Sequence, residues 1–275
     1  MKKYFALFVL LITINSFAQE KMELFPDNLN IQPFTANILE PKLGFLIQFS
    51  KNELRLDIGN SIDLFRYYKN ENETFSLGAD LFTYTLLRGE TNFHFPVDAV
   101  DYLFGFNGSY KVVNENYEYG ARLRISHISA HFVDGHYDGT NSRWRDDLNP
   151  RVYSREFVEL MPYYKFNSLR VYTGFTYLFH VDPEYIGKMN YQFGFDYFAN
   201  DFISESITPF FGYDIKLVDI DKFTANNSLS AGIKIGKVHG KGLSLYFNYY
   251  AGKSIHGEYF NFNKEYSALG INLDL

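Results

Sequence analysis

The sequence predicts an all-β fold: a transmembrane, antiparallel, up-and-down β-barrel of about twelve strands. Three observations predict it. Aromatic residues make up 19% of the 275 residues, with 29 Phe and 23 Tyr against a single Trp. Mean hydropathy is only −0.22, and past the first residues no apolar run approaches the ~20 residues that a spanning helix needs. Apolar and polar residues alternate with period two in segment after segment, each near the ~9–11 residues that cross a bilayer as a tilted strand.

The chain opens Met1-Lys2-Lys3, runs apolar from Tyr4 to Ile14 and reaches Ser16-Phe17-Ala18. That order of charge, greasy stretch and small residues is expected of a secretory signal peptide over residues 1–18, cut after Ala18. Residues 19–41, with Pro26, Pro33 and Pro41, precede the first strand as a periplasmic or plug-like N-terminal segment, and the barrel occupies residues 42–275. The absence of Cys excludes disulfides and thiolate metal sites. A net charge of −6 excludes nucleic acid as a natural partner.

Along the barrel the alternation is explicit. Met189, Tyr191, Phe193, Phe195 and Tyr197 alternate with Asn190, Gln192, Gly194 and Asp196. Leu269, Ile271, Leu273 and Leu275 alternate with Gly270, Asn272 and Asp274. A soluble sandwich also alternates, but there the greasy face is core. Here the opposite face is small and polar, as a filled or watery lumen wants. With both barrel ends on the periplasmic side, odd strands run outward and longer loops should follow them. The stretches Arg88 to Val97, Val133 to Pro150 and Ser254 to Lys264 are the long outer connections, while Asn114 to Asn116, Asn167-Ser168 and His239 to Lys241 are short inner ones.

One motif interrupts the greasy face. In the fifth predicted strand, Tyr117 to Phe132, the outward positions Ala121, Leu123 and Ile125 continue as His127, Ser129 and His131. The sixth, Arg151 to Phe166, places Val152, Ser154, Glu156, Val158 and Leu160 on its outward face, and Tyr153, Arg155 and Glu159 toward the lumen. If the hairpin is symmetric about the loop from Val133 to Pro150, Ser129 faces Ser154 and His127 faces Glu156. Directly opposed residues lie only ~4.5–5.5 Å apart at Cα, so Glu156 would hold the imidazole. Ser129 follows ~6.6 Å along the same face. The roles of a hydrolase triad are then available: Ser129 as nucleophile, His127 as base and Glu156 as orienter. His131 flanks Ser129 on its other side as a second base candidate, and Ser154 and Arg155 are accessory candidates. Polar residues at a lipid interface cost only ~0–1 kcal/mol, so the same residues also suit headgroup-level placement without chemistry.

His127-Ile128-Ser129 on a lipid-facing strand, followed across an outer hairpin by a polar orienter, resembles two families of outer-membrane lipid hydrolases. One is outer membrane phospholipase A, whose resemblance implies twelve strands, an Asn orienter and calcium. The other is the lipid A deacylase, a smaller barrel with a His-x-Ser pair and a Glu. The chain departs from both at Ala130-His131, where they place Asn and a small residue. Over most of its length it resembles an uncharacterised family of outer-membrane barrels, a domain of unknown function. The marks of that family here are Leu24-Phe25-Pro26, Glu40-Pro41-Lys42, the His-Ile-Ser-x-His segment and Tyr153-Ser154-Arg155-Glu156.

The expected protein is thus a bacterial outer-membrane barrel, exported by the Sec route, hydrolysing acyl esters of phospholipid or lipid A at the outer leaflet. The competing expectation is a non-catalytic barrel, structural or weakly conducting. Its partners would be outer-membrane lipids, including lipopolysaccharide, the barrel assembly machinery, and a second copy of the chain as a homodimer. No cofactor is required by the residues; calcium is the one the phospholipase resemblance implies. Asp134 to Gly139 only faintly matches a calcium loop, with Arg145 where such a loop carries Glu, and reads as solvated. The lumen charges Arg55, Asp57, Asp63, Arg122, Arg124, Arg155 and Glu159 are expected to interlock rather than line a pore.

Overall fold

The computed structural model describes residues 21–40, 42–49 and 51–274. The predicted signal peptide lies outside the described residues. A short strand, β1 (Lys21–Leu24), precedes the ring. The first half of the ring is β2 (Leu43–Gln48), β3 (Glu53–Tyr68), β4 (Glu73–Arg88), β5 (Val97–Val113) and β6 (Tyr117–Phe132). A long outer loop carries the two-residue strands β7 (Tyr137–Asp138) and β8 (Arg143–Trp144). The ring resumes as β9 (Ser154–Phe166), β10 (Leu169–Asp182), β11 (Met189–Phe198), β12 (Ile207–Asp219), β13 (Phe223–Gly236), β14 (Gly242–Lys253) and β15 (Asn263–Asp274).

Each ring strand pairs antiparallel with its sequence neighbours, and β15 returns to β2 through Leu269↔Ile47 and Ile271↔Phe45. That closure joins the twelve strands in one ring, the arrangement that lets sheet span a bilayer. Because β2 pairs only with the Leu54 to Ile58 part of β3, the other half of that edge is free. β1 takes its inner end, setting Lys21 opposite Tyr68 and Leu24 opposite Phe65.

Alternation sorts the side chains as the sequence predicts. On β6 Leu123 and Ile125 stand outward, 44% and 54% exposed, while Arg122 and Arg124 are buried inside. Tyr117, Tyr119 and Tyr164 stack into an aromatic patch at the inner end of the same face, with ring centroids 6.4 and 5.9 Å apart. Leu123 lies midway between that patch and the His-bearing outer end. Leu123→Arg is therefore expected to destabilise the barrel by about 2–4 kcal/mol, the midplane cost of a lipid-facing cation. Urea titration of the protein refolded in lipid vesicles measures it; an unchanged midpoint would place this face away from hydrocarbon.

The lumen is filled in three tiers. At its outer end Phe82, Leu103, Ile128, Phe157, Leu178 and Phe260 belong to one buried apolar cluster. The loop between β14 and β15 dips into it: Gly257 N–H donates to Asp101 Oδ2 at 2.8 Å, and Phe260 stacks on Tyr153 at 4.5 Å. This tier corrects the expectation of a small, polar lumen face. In the middle, charges interlock. Arg124 Nε reaches Asp80 at 2.9 Å and its Nη1 reaches Glu159 at 3.2 Å, and Arg55 pairs with Asp57 at 2.6 Å. Nearer the inner end Arg66 holds Asp63 at 2.7 Å.

Toward the inner end the segment before β2 threads the lumen. Asn30 N–H donates to Asp63 and its amide to Ser109 Oγ, both at 2.8 Å. Phe34 is completely buried beneath the guanidinium groups of Arg170 and Arg122, at 4.5 and 5.1 Å. Glu40, also completely buried, accepts both Nη groups of Arg122.

Candidate functional site

The outer ends of β5, β6, β9 and β10 form one lipid-facing patch. Strand pairing sets Phe104 and Glu156 on either side of His127, and Tyr102 and Ser154 on either side of Ser129. These are the cross-strand partners that a symmetric hairpin predicts for β6 and β9, although β9 begins at Ser154 rather than Arg151.

Glu156 sits in the middle of three strands and receives a histidine from each neighbour. His127 Nδ1 lies 2.5 Å from Glu156 Oε1, and His180 Nδ1 lies 2.5 Å from Oε2. An ionised carboxylate only accepts. Each imidazole therefore donates through Nδ1–H, which leaves Nε2 as the basic nitrogen. The His127 and Glu156 side chains are each a little over a quarter exposed, whereas that of His180 is 65% exposed. The Phe104 ring lies against His127 with centroids 5.0 Å apart, fixing the plane of the imidazole.

Ser129 is brought to a different histidine. Its Oγ lies 3.3 Å from Nε2 of His131, and the His131 ring rests 5.7 Å from that of Tyr102. The structure thus joins Glu156 to His127 and Ser129 to His131, with the two pairs adjacent on one face. Ser154 belongs to that face, opposite Ser129. Arg155 does not: its guanidinium lies 4.3 Å over the Tyr153 ring, on the lumen side. It is set aside as an accessory because one residue along a strand reverses the direction of the side chain.

His180 was missed from sequence. Strict alternation sends Leu178 and His180 to the same side, and Leu178 is buried in the lumen. A register shift between Leu178 and His180 inserts Phe179 as the extra residue, so that His180 faces Glu156 outside. The signal available was Tyr177-Leu178-Phe179, three consecutive bulky residues where the pattern asks for alternation.

Among the described residues no three His, Cys, Asp or Glu side chains are grouped to hold a metal ion. Both Glu156 oxygens already accept an imidazole N–H. In the outer loop Asp138 accepts from the backbone N–H groups of Thr140 and Asn141 and from the Asn141 amide, at 3.0, 3.2 and 2.7 Å. These bonds hold its carboxyl below the ordinary range, led by the Asn141 side chain. Arg143 pairs with Asp147 at 3.6 Å.

A closed twelve-stranded barrel with an apolar exterior and a histidine–carboxylate–histidine patch at one rim is a transmembrane barrel of the outer-membrane type. The chain belongs to the family described as "Protein of unknown function (DUF1207)", whose model matches residues 97–275 and so spans the whole patch. Among solved structures it is similar to outer membrane phospholipase A from Escherichia coli, at 15% identity and TM-score 0.57, covering 90% of this chain and 94% of that one. It is also similar to the Salmonella typhi outer membrane phospholipase, solved as a dimer with bound calcium, at 15% identity, TM-score 0.52 and the same coverage. At these identities the likeness is one of fold. No curated protein matches the chain.

Proposed function

We propose that the protein is a lipid acyl-ester hydrolase of the bacterial outer membrane, exported by the Sec route and acting at the outer leaflet. The observation that carries the proposal is the 2.5 Å bond from His127 Nδ1–H to Glu156, on a lipid-facing surface that also presents Ser129. A carboxylate on Nδ1 leaves Nε2 free to act as a base. The fold shared with phospholipases of Escherichia coli and Salmonella typhi supports phospholipid or lipid A as the substrate class.

In this mechanism Ser129 Oγ attacks the ester carbonyl carbon while His127 Nε2 takes the hydroxyl proton. The tetrahedral intermediate collapses, the acyl–oxygen bond breaks, and the leaving alcohol receives that proton from His127. Water then enters by the same route: His127 takes its proton, hydroxide attacks the acyl-serine, and Ser129 regains its hydrogen as the fatty acid leaves. Ser154, opposite Ser129, is the hydroxyl best placed to donate to the oxyanion. Ser129 must swing from His131 toward His127 before attack, a rotamer change of the kind that takes ps–ns in exposed residues. Lipids of the outer membrane, the barrel assembly machinery and a second copy of the chain are the partners this function implies. Calcium, bound in the Salmonella typhi structure, is the cofactor that this likeness implies.

Purified protein in detergent micelles, assayed against phospholipid and lipid A, tests the proposal. Wild type should release fatty acid, Ser129→Ala and His127→Ala should not, and His131→Ala should keep most of the activity. Equal release from wild type and Ser129→Ala would sink it. The second reading, a non-catalytic structural barrel, is favoured by one observation: the bond that Ser129 makes is to His131 and not to the His127 that Glu156 holds. Weak conduction is opposed by the interlocked lumen, and planar bilayers should stay silent.

A further inference from the structure

The lumen is not filled uniformly. At the inner end, away from the histidine patch, a cavity of about 340 Å³ remains between the threaded segment and the barrel wall. It reaches the inner turns, since Ser168, Asn200 and His239 help to line it. That volume lies in the range of about 300–1,000 Å³ typical of small-molecule sites.

Its charges are unbalanced. Several basic groups lining it are already engaged: Arg170 holds Asp196 at 2.6 Å, Lys234 holds Asp274 at 2.9 Å, and Arg66 is paired with Asp63. Lys42, Lys111 and Lys165 also line the cavity, and among the described residues none of the three forms an ion pair. Lys42 lies 5.5 Å over the Tyr246 ring. Lys165 Nζ is 3.4 Å from His239 Nε2, a neutral acceptor. Glu118 is the carboxylate left on this wall, and it accepts the Tyr163 hydroxyl at 2.6 Å.

His239, in the turn between β13 and β14, reports the local field. Burial pushes its pKa down, and the charges of Lys165 and Arg170 push it further, to about 4. The imidazole therefore stays neutral at physiological pH and does not add to the cationic side. The rings of Phe34, Phe198, Phe210 and Tyr246 also line the cavity.

We propose that this inner cavity is a binding site for an organic phosphate: a phosphoryl group held by Lys111 and Lys165, with a flat or apolar body against the rings. Two ammonium groups from separate strands, β5 and β9, suit an anion with several oxygens. Aromatic rings supply the body-binding surface that a bare phosphate would leave unused. The ligand would enter from the periplasmic side, so the site is distinct from any chemistry at the lipid-facing patch.

Isothermal titration of the detergent-solubilised protein with adenosine monophosphate, adenosine and dihexanoyl phosphatidic acid tests it. Adenosine monophosphate should bind, adenosine should not, and the affinity should fall steeply with salt. The Lys111→Gln/Lys165→Gln double variant should bind at least roughly tenfold more weakly, as expected for two lost charge-assisted contacts. A Lys165→Arg variant should retain binding, and the heat-modifiable gel mobility of each variant checks that the barrel has folded. Binding of the phosphatidic acid in place of the nucleotide supports the same phosphoryl site and assigns it to a lipid headgroup. Equal affinity for adenosine and its monophosphate, an unaltered affinity in the folded double variant, or no heat from any probe overturns the proposal.

Discussion

Glu40→Ala is expected to lower the stability of the refolded barrel by about 3–5 kcal/mol, the cost of breaking a buried ion pair from one side. The Glu40 side chain has no solvent exposure, and its two oxygens accept both Nη groups of Arg122, with Arg124 Nη2 a further 3.6 Å away. Without it Arg122 is left with Glu159 at 3.8 Å, too long to replace a bidentate bond. Burial pushes the Glu40 carboxyl up, and Arg122 and Arg124 outweigh that, so its pKa lies below the ordinary value. The stabilisation is therefore fully present above the ordinary carboxylate range and is lost as pH falls through the depressed folded value. Glu40→Gln keeps the shape and removes the charge, so it should recover only part of the loss. The urea midpoint in detergent or vesicles measures both, with Lys69→Ala at the exposed Lys69–Glu73 pair as a control expected to do nothing measurable. A Glu40→Ala midpoint equal to wild type would mean that the threaded segment contributes nothing to holding the lumen together.

The consequence reaches beyond stability, because Glu40 is the end of the segment that walls the inner cavity. Thr35 N–H to Asp196 at 3.2 Å and the Arg170 bonds to the carbonyls of Gln32 and Pro33 hold the same segment higher up. Loosening Glu40 should weaken ligand binding at the inner cavity while leaving the outer patch untouched. The two ends of the lumen are separated by the Arg124–Asp80–Glu159 tier.

Period two and loop asymmetry were enough to read the ring, because lipid outside and packed lumen inside impose one face on every strand. Loop symmetry alone set Glu156 beside His127. What could not be read depends on interactions that alternation does not encode. Phe157, Leu178 and Ile128 occupy lumen positions where the pattern was taken as polar, because outer loops carrying Ile186, Ile220 and Phe260 come down to meet them. The loops carrying Ile220 and Phe260 are far away in sequence. Glu40 gave no sign of its burial, since its partner Arg122 lies on a strand that the segment meets only inside the closed ring. His180 was hidden by a single inserted residue. The contact between Ser129 and His131, two residues apart on one face, was legible as an alternative but not as the arrangement adopted.

Glu156→Gln should cut fatty-acid release by roughly 10²–10⁴-fold if Glu156 orients the base, since replacing an orienting carboxylate by its amide presents the base with the wrong tautomer. The arrangement here sharpens that expectation. Glu156 accepts an N–H on each oxygen, from His127 and from His180. An amide accepts on one side and donates on the other, so it can serve only one imidazole in its present tautomer. If the amide oxygen faces His127, the base survives and His180 must turn or change tautomer; if the nitrogen faces it, the proton moves to Nε2 and the base is lost. His180→Ala separates these outcomes. Alone it should leave activity nearly intact, because the carboxylate then serves His127 alone. Combined with Glu156→Gln it should restore part of the lost rate, since the amide is then free to turn its oxygen to His127. Activity of Glu156→Gln within twofold of wild type, beside an inactive His127→Ala, would remove Glu156 from the mechanism. It would leave the paired histidines as a headgroup-level feature of the barrel rim.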